Sequence, residues 1–210
     1  MMKTILLTSA GMNVSGEILK ILPKPPSQIK LAHVIDAAKP LKKKNYMFKD
    51  KRKMEEVGFQ VEDILIGDKN DTDLRNILED KDIIYVQGGN PFYLLQQVRK
   101  SRFGRVVKEL IGRGVIYIGA SAGTYLVCPT IEMAFWKGEK RSTYGITDFR
   151  GLGLVPFLVT VHYEPKYETL VKEGMRQAKY PVKILTDDQA ILVTDKETKL
   201  VGKGPEVIIN

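Results

Sequence analysis

The sequence predicts an α/β protein, a three-layer sandwich in which a mostly parallel sheet lies between two layers of helices. Short apolar runs alternate with segments of helical periodicity along most of the 210 residues. The runs are almost continuously apolar, as in parallel strands that are buried on both faces. Toward the C-terminus three short strand-like runs follow one another closely, so antiparallel strands are expected there.

The N-terminal part begins this alternation. An apolar run at 3–8 predicts the first strand, and apolar residues at helical spacing predict a helix at 14–22 that ends before a group of prolines. A second strand at 28–35 precedes a basic helix that ends at Gly58, and a third strand is expected at 59–66.

The middle of the chain continues the pattern. Asp71 or Thr72 is placed to cap the next helix, and the bounded apolar run at 82–86 predicts a fourth strand. Asn90 is placed to cap a helix whose first residue is a proline, and a further amphipathic helix is expected at 103–111. A short apolar strand from Val115 then leads to Gly119.

The C-terminal third differs in character. A strand-like run "LVTVHY" precedes a helix expected from Pro165 to about Lys179, and three short strands follow it. The stretch "DKET" at 195–198 has the composition of a hairpin turn. Because no linker, internal repeat or low-complexity segment interrupts the chain, residues 1–210 are expected to form a single domain.

The composition favours a soluble cytoplasmic protein. Apolar residues make up 43% and charged residues 28% of the chain, and no window is long and apolar enough for a membrane span. The N-terminal apolar run is too short for a signal peptide, and the single cysteine, Cys128, fits a reducing compartment and packing in the core.

The net charge of +8 raises the question of an anionic partner. Much of it lies at 39–56, where acids and apolar residues at helical spacing also occur. A solvated amphipathic helix explains this segment, and a phosphate- or nucleic-acid-binding patch is the alternative. No nucleic-acid-binding signature accompanies the charge, so a nucleic-acid partner is not expected.

The segment from Gly119 to Gly123 fits the pattern G-x-S-x-G. In this pattern, called a nucleophile elbow, a strand turns sharply into a helix and holds the central serine in a strained conformation above the sheet. The helix N-terminus adds partial positive charge where an oxyanion forms. Ser121 is therefore a candidate nucleophile, with a plain helix cap or a phosphate-binding turn as the alternatives.

A serine nucleophile needs a general base, and the chain contains two histidines. His33 lies among apolar residues and is expected to be a hydrogen-bonded core or edge side chain. His162 ends a strand-like run just before a helix, at the sheet edge where catalytic sites of α/β proteins gather. His162 is the expected base.

The oxyanion needs two donors. The residue after the nucleophile, Ala122, supplies one backbone N–H. The loop "YVQGGNPFYLL" offers the second at Gly88, with Gly89 and Asn90 as candidate substrate-binding residues, because glycines let the backbone approach a ligand closely. A plain turn with a helix cap is the alternative for this loop.

Four stretches together resemble a known family. "YVQGGNPFYLL", "GVIYIGASAGTYLVCPTIE", "GLGLVP" and "LVTVHYEP" are similar to segments of the dipeptidase E and cyanophycinase family of serine peptidases. The resemblance covers roughly residues 80–165. It implies a fold like that of class I glutamine amidotransferases, with a serine at the elbow in place of their cysteine, and a Ser–His–acid triad that needs no metal and no cofactor.

The acid of the triad is less well defined. In the aspartyl dipeptidase branch of the family an aspartate follows "CPTI", but here no aspartate occurs before Asp148. Glu139 is the preferred choice, because glutamate also orients a histidine and cyanophycinase-like members have one in this region. Glu132 is second, and Glu164 and Asp148 follow.

These observations predict a serine peptidase that hydrolyses short peptides through an acyl-enzyme, as a monomer or a homodimer. The family suggests N-terminal aspartyl dipeptides. A cationic side chain near the pocket would be needed to hold their carboxylate, and the candidates are Arg176, Lys137 and Lys140. One alternative is a catalytically impaired fold relative that binds a ligand or nucleic acid. The other is an esterase or amidase with a different substrate.

Overall fold

The computed structural model describes residues 3–138 and 142–209, and it confirms the predicted α/β class. The described residues form a seven-stranded sheet in the order β3-β2-β4-β5-β1-β8-β9. Strands β1 to β5 run parallel, whereas β8 is antiparallel to β1 and β9 is antiparallel to β8. These strands are β1 (Thr4–Thr8), β2 (Lys30–Val34), β3 (Gln60–Ile64), β4 (Ile83–Val86), β5 (Ile116–Ala120), β8 (Gln189–Thr194) and β9 (Thr198–Gly202).

Helices cover both faces of this sheet. One face packs against α3, α4, α5 and α6, and the other against α1 and α2. In β4, Ile84 and Val86 point into the first core while Ile83 and Tyr85 point into the second, which explains why the strand is apolar at every position. The helices are α1 (Ser15–Lys20), α2 (Asn45–Val57), α3 (Asp71–Leu78), α4 (Pro91–Ser101), α5 (Phe103–Gly112), α6 (Ala122–Leu126) and α7 (Glu168–Gln177).

Several helix boundaries differ from the sequence prediction. Helix α1 is shorter than the expected 14–22, and the basic helix α2 begins only at Asn45, so residues 39–44 lie before it. The cap of α3 is neither Asp71 nor Thr72 but Asn70, whose side chain accepts a hydrogen bond from the backbone N–H of Asp73 at 3.0 Å. The carboxylate of Asp73 in turn accepts a hydrogen bond from the backbone N–H of Asn70, so the two residues form a capping box. The helix expected from Pro165 begins as a 3₁₀ turn and becomes α7 only at Glu168.

The expectation for the C-terminal strands is partly wrong. Strands β8 and β9 form the predicted antiparallel hairpin, but the preceding run pairs elsewhere. It forms β7 (Val182–Ile184), which lies parallel to β6 (Leu158–Thr160) in a separate two-stranded sheet. Because the two strands are parallel, their carboxyl ends lie side by side, and this positions the site described below.

The helices of the described residues are short. Within residues 3–138 and 142–209, none is both long enough and apolar enough to cross a lipid bilayer.

Candidate active site

Five polar or small residues meet where parallel strands end. Ser9 follows β1, Gly88 follows β4 and Ser121 follows β5. His162 and Asp187 follow β6 and β7 of the small sheet. Carboxyl ends of strands at one sheet edge are where α/β proteins build their ligand sites, and all five residues line one cavity here.

The elbow around Ser121 has the expected strained geometry. Ser121 has φ 49° and ψ −102°, a backbone conformation that residues other than glycine rarely adopt. A Cβ on Gly119 would lie 2.7 Å from the backbone of Gly123, and one on Gly123 would collide with the carbonyl of Val86. Both flanking positions of the motif therefore require glycine because the turn packs directly on β4 and on itself.

His162 reaches the serine from the neighbouring small sheet. Its Nε2 lies 3.0 Å from Oγ of Ser121, so the predicted pair is within hydrogen-bond distance. The backbone of His162 is also strained, with φ 54°. Its N–H donates to Oγ of Ser9 at 2.7 Å, and Nζ of Lys137 donates to its carbonyl at 2.9 Å. These bonds hold the strained residue in place from both sides.

The acid that contacts His162 is Asp187, which sequence reasoning missed. Its Oδ1 lies 2.6 Å from Nδ1 of His162 and accepts a further bond from Oγ of Ser9 at 2.8 Å. The hydrogen bond with His162 holds the pKa of the Asp187 carboxyl below its usual value, against the opposing effect of burial, and Ser9 and Lys137 add to the lowering. The signal in the sequence was a pair of aspartates directly after a strand-like run.

The carboxylates favoured from the sequence lie elsewhere. Glu139 is outside the described residues. Glu132 is exposed in a 3₁₀ turn, and Glu164 forms an exposed ion pair with Lys166. Asp148 pairs with an arginine two residues further on. Among the described carboxylates, Asp187 is the one bonded to the imidazole.

The predicted oxyanion residues flank the serine. Ala122 is the first residue of α6, where backbone N–H groups lack partners within the helix. Gly88 packs against the elbow so closely that a Cβ there would lie 3.1 Å from Cβ of Ser121 and 3.3 Å from the carbonyl of Ala120. The loop thus brings its backbone, free of any side chain, up to the nucleophile.

The next two residues of that loop have structural tasks. Gly89 has φ +147°, and a Cβ there would collide with the carbonyl of Ala37. The Oδ1 atom of Asn90 accepts bonds from two N–H groups at the start of α4, and its Nδ2 donates to the carbonyl of Ser142 at 3.3 Å. Gly89 lines the cavity, whereas Asn90 caps α4 and is not among the described residues that line it.

His33 is a buried core residue, as expected. Its Nδ1 lies 2.8 Å from the Asp63 carboxylate, and its Nε2 lies 2.8 Å from Oε1 of Gln87. The side chain is fully enclosed, so it has no route to a substrate.

Two cavities meet at the serine and histidine. The larger has a volume of about 420 Å³ and the smaller about 130 Å³. Lys137 lines the smaller one, and Lys140 is outside the described residues. Arg176 is exposed on α7 and is not among the described residues that line either cavity, because α7 turns its other face, with Val171 and Gly174, toward the protein.

The fold and this edge define a class of protein. A parallel α/β sheet with a serine on a strained strand-to-helix turn, bonded through histidine to an aspartate, is the arrangement of elbow hydrolases. The chain belongs to peptidase family S51, whose model matches residues 5–201.

Several known proteins are similar to this chain. An uncharacterized peptidase of Listeria monocytogenes is 25% identical over 198 residues, which is 91% of this chain and 89% of the relative. A peptidase E of Escherichia coli is 35% identical over 89 residues, 41% of this chain and 36% of that protein. The crystal structure of a peptidase E candidate from Listeria monocytogenes has a TM-score of 0.84 at 25% identity and covers 97% of this chain and 100% of its own.

Proposed function

We propose that this peptidase is a serine enzyme that hydrolyses short peptides through an acyl-enzyme on Ser121. The observation that carries the proposal is the unbroken hydrogen-bond chain from Ser121 through His162 to Asp187, with distances of 3.0 Å and 2.6 Å. A nucleophile bonded to a base, with the base oriented by an acid, is the arrangement that activates a serine hydroxyl.

Each of the three hydrogen-bonded residues has a distinct role in the proposed reaction. Asp187 accepts a hydrogen bond from Nδ1–H of His162, which leaves the lone pair of Nε2 facing the serine hydroxyl. His162 takes the hydroxyl proton as Oγ attacks the peptide carbonyl, and the imidazolium that forms is stabilised by the Asp187 carboxylate. The low pKa of that carboxyl keeps it ionised in this role.

The tetrahedral intermediate then collapses. The backbone N–H groups of Ala122 and Gly88 stabilise its oxyanion, His162 returns the proton to the leaving amine, and the C–N bond breaks. Water enters, gives its proton to His162 and attacks the ester of Ser121. The second intermediate then collapses: His162 returns this proton to Oγ of Ser121, the ester C–O bond breaks, and the product acid leaves the free serine, so atoms and protons balance over the cycle.

The size of the site favours short substrates. Cavities of about 420 Å³ and 130 Å³ on the two sides of the serine hold a few residues each at most. We place the aspartyl preference implied by the family resemblance at the smaller cavity, where Lys137 is the described cation. Lys137 also donates to the carbonyl of His162, so a substrate carboxylate there would lie next to the base.

The test is the variant Ser121→Ala with Ser27→Ala as its matched control, because Ser27 is exposed and lies outside both cavities. A fluorophosphonate should label the wild type and the control at Ser121, and both should hydrolyse dipeptides. Ser121→Ala should lose labelling and hydrolysis while keeping its circular dichroism spectrum. Retained hydrolysis in Ser121→Ala would overturn the mechanism.

A substrate panel separates the peptidase from its alternatives. Faster turnover of aspartyl dipeptides than of esters supports the proposed peptidase, and ester hydrolysis without peptide hydrolysis supports an esterase. A protein that is not labelled, and that binds DNA with an affinity falling steeply as salt rises, would instead be a binding protein.

A further inference from the structure

We propose that Asp50 binds an ammonium group of the substrate, and that this group is the free N-terminal α-ammonium of the peptide. The proposal rests on the proposed function and names the substrate class of that site. Asp50 lies on α2 and lines the larger cavity together with Ser121, His162 and Asp187. A carboxylate in the same cavity as the nucleophile is positioned to favour substrates that carry a positive charge there.

Neutral donors hold the Asp50 carboxylate in place. The hydroxyl of Tyr85 donates to Oδ2 at 3.2 Å, and Nε2 of Gln87 donates to the same atom at 3.1 Å. The backbone of Met12 also lowers the pKa of the Asp50 carboxyl. Because these groups donate and the carboxyl accepts, they stabilise its ionised form and fix its orientation.

The neighbouring glycine keeps room for this group. Gly11 has φ +55°, and a Cβ there would collide with the hydroxyl of Tyr85 and lie 2.5 Å from Oδ2 of Asp50. Gly11 also lines the larger cavity. Any larger residue at this position would therefore displace the carboxylate or close its access to the cavity.

Asp50 also lacks a cationic partner. Among the salt bridges formed by the described residues, none includes Asp50. His33 lies behind Gln87 and lowers the pKa of Asp50, but its ring is bonded to Asp63, which also pairs with Lys51 at 2.7 Å. Burial is the larger effect and raises the pKa of the Asp50 carboxyl, which means that its negative charge is poorly compensated.

Asp50 is half-buried, a charge without a cationic partner is costly there, and an ammonium ligand would reduce that cost. Lys49 lines the same cavity one residue earlier, but it is exposed, so water and salt screen its charge. The smaller cavity is lined by both a lysine, Lys137, and a carboxylate, Glu164, so it has no single sign. The larger cavity holds the carboxylates of Asp50 and Asp187, which suits a peptide whose free amino end enters it.

The experiment uses coumarin amides that differ only in where an ammonium group lies. Alanyl-coumarin carries the α-ammonium, and N-acetyl-lysyl-coumarin carries the side-chain ammonium alone. N-acetyl-alanyl-coumarin carries neither, and the lactoyl analogue replaces the α-ammonium with a hydroxyl. The enzymes are the wild type, Asp50→Asn and the control Glu55→Gln, which removes one exposed negative charge from the same helix.

We expect the wild type and Glu55→Gln to prefer alanyl-coumarin to its acetyl and lactoyl analogues by about 10- to 100-fold in kcat/KM, as for a hydrogen bond to a charged group. In Asp50→Asn this preference should fall to about twofold, because turnover of alanyl-coumarin loses the contribution of the carboxylate. A preference for N-acetyl-lysyl-coumarin that Asp50→Asn abolishes would overturn the α-ammonium assignment in favour of a lysine side chain. An unchanged preference in Asp50→Asn would overturn the role of Asp50 altogether.

The wild type alone keeps the proposal testable if Asp50→Asn does not fold. Equal turnover of alanyl and lactoyl substrates would then overturn it.

A binding measurement separates this proposal from the proposed function. Calorimetry on Ser121→Ala should detect trialanine but bind N-acetyl-trialanine about 10-fold more weakly or worse. Such discrimination in a protein that hydrolyses nothing would leave the Asp50 assignment standing and reject the peptidase mechanism.

Discussion

The Nδ1 atom of His162 lies 2.6 Å from Oδ1 of Asp187, although the two residues are 25 positions apart. The contact exists because β6 and β7 pair in parallel, with Thr160 opposite Ile184, and the chain leaves both strands on the same side. The backbone N–H of Tyr163 donates to the carbonyl of Leu185 at 3.0 Å and extends this pairing to the site itself. The orientation of the imidazole is therefore set by a strand pair.

The first prediction concerns Asp187. Replacing it with asparagine removes the acceptor that fixes the tautomer of His162, so under the proposed mechanism kcat should fall by about 10⁴-fold, as for the corresponding change in a Ser–His–Asp protease. Steady-state kinetics on dipeptide substrates would measure this, and KM should change much less.

The matched control is Glu139→Gln, which removes the carboxylate favoured from the sequence. Its kcat should stay within about twofold of the wild type. The opposite pattern, a large loss in Glu139→Gln and a small one in Asp187→Asn, would return the acid's role to Glu139.

A second prediction concerns Ser9, which is hydrogen-bonded to both His162 and Asp187. Its Oγ accepts from the backbone N–H of His162 and donates to Asp187. Ser9→Ala should lower kcat by about 10-fold, because loss of these bonds loosens the strained His162 without removing a reacting group. Ser27→Ala should leave kcat unchanged, and an equally active Ser9→Ala would exclude this positioning role.

The pH dependence of Asp187 supplies a third prediction. Its pKa is lowered in the folded protein, so the bonds to its ionised form contribute stability above the unfolded pKa of about 3.9. That contribution is lost as the pH falls through the lower folded value. Carbon-13 chemical shifts of the carboxyl should show a midpoint below the usual value, moving upward in Ser9→Ala. A midpoint that does not move would show that Ser9 has no effect on this carboxyl.

Much of the fold follows from local patterns in the sequence. Continuous apolar runs such as Ile83–Val86 indicate strands buried on both faces, and proline after Asn90 marks the start of α4 correctly. The pairing of β7 did not follow, because a three-residue strand carries no signal for its partner. Because β7 lies close to β8 along the chain, β8 was the expected partner of β7, but in the folded protein β7 pairs with β6.

The candidate site was predictable to the same extent. Ser121 and His162 lie on segments whose local pattern announces a strand end, so their meeting could be inferred from the sheet edge. Asp187 depends on the non-local pairing of β6 with β7. Asp50 reaches the cavity from α2, a helix whose charge suggested a solvated surface or a patch that binds anions. Tertiary contacts of this kind leave no periodicity in the sequence.

A fourth prediction tests the backbone donor at Gly88. An added Cβ would crowd Ser121 and Ala120, so Gly88→Ala should lower kcat/KM by about 10²-fold through displacement of the loop or the nucleophile. Gly112→Ala is the control, since a Cβ there meets no described atom within 4 Å. That control should keep full activity and gain about 0.5–1 kcal/mol of unfolding free energy in urea titrations. Full activity in Gly88→Ala would argue against close approach of this loop to the substrate.

The last prediction separates the serine from the single cysteine as the source of activity. Cys128 is fully buried, and burial raises the pKa of its thiol to about 12. At pH 8 only about one molecule in 10⁴ would carry the thiolate, which is the form that reacts with alkylating agents.

Native enzyme treated with iodoacetamide should therefore keep its mass and its activity, while urea-unfolded protein should gain one alkyl group. Fluorophosphonate labelling of Ser121 should proceed unchanged after the iodoacetamide treatment. Inactivation of the native enzyme with modification at Cys128 would mean that the thiol opens to solvent, because a side chain held in the packed core beneath α6 cannot otherwise meet the reagent.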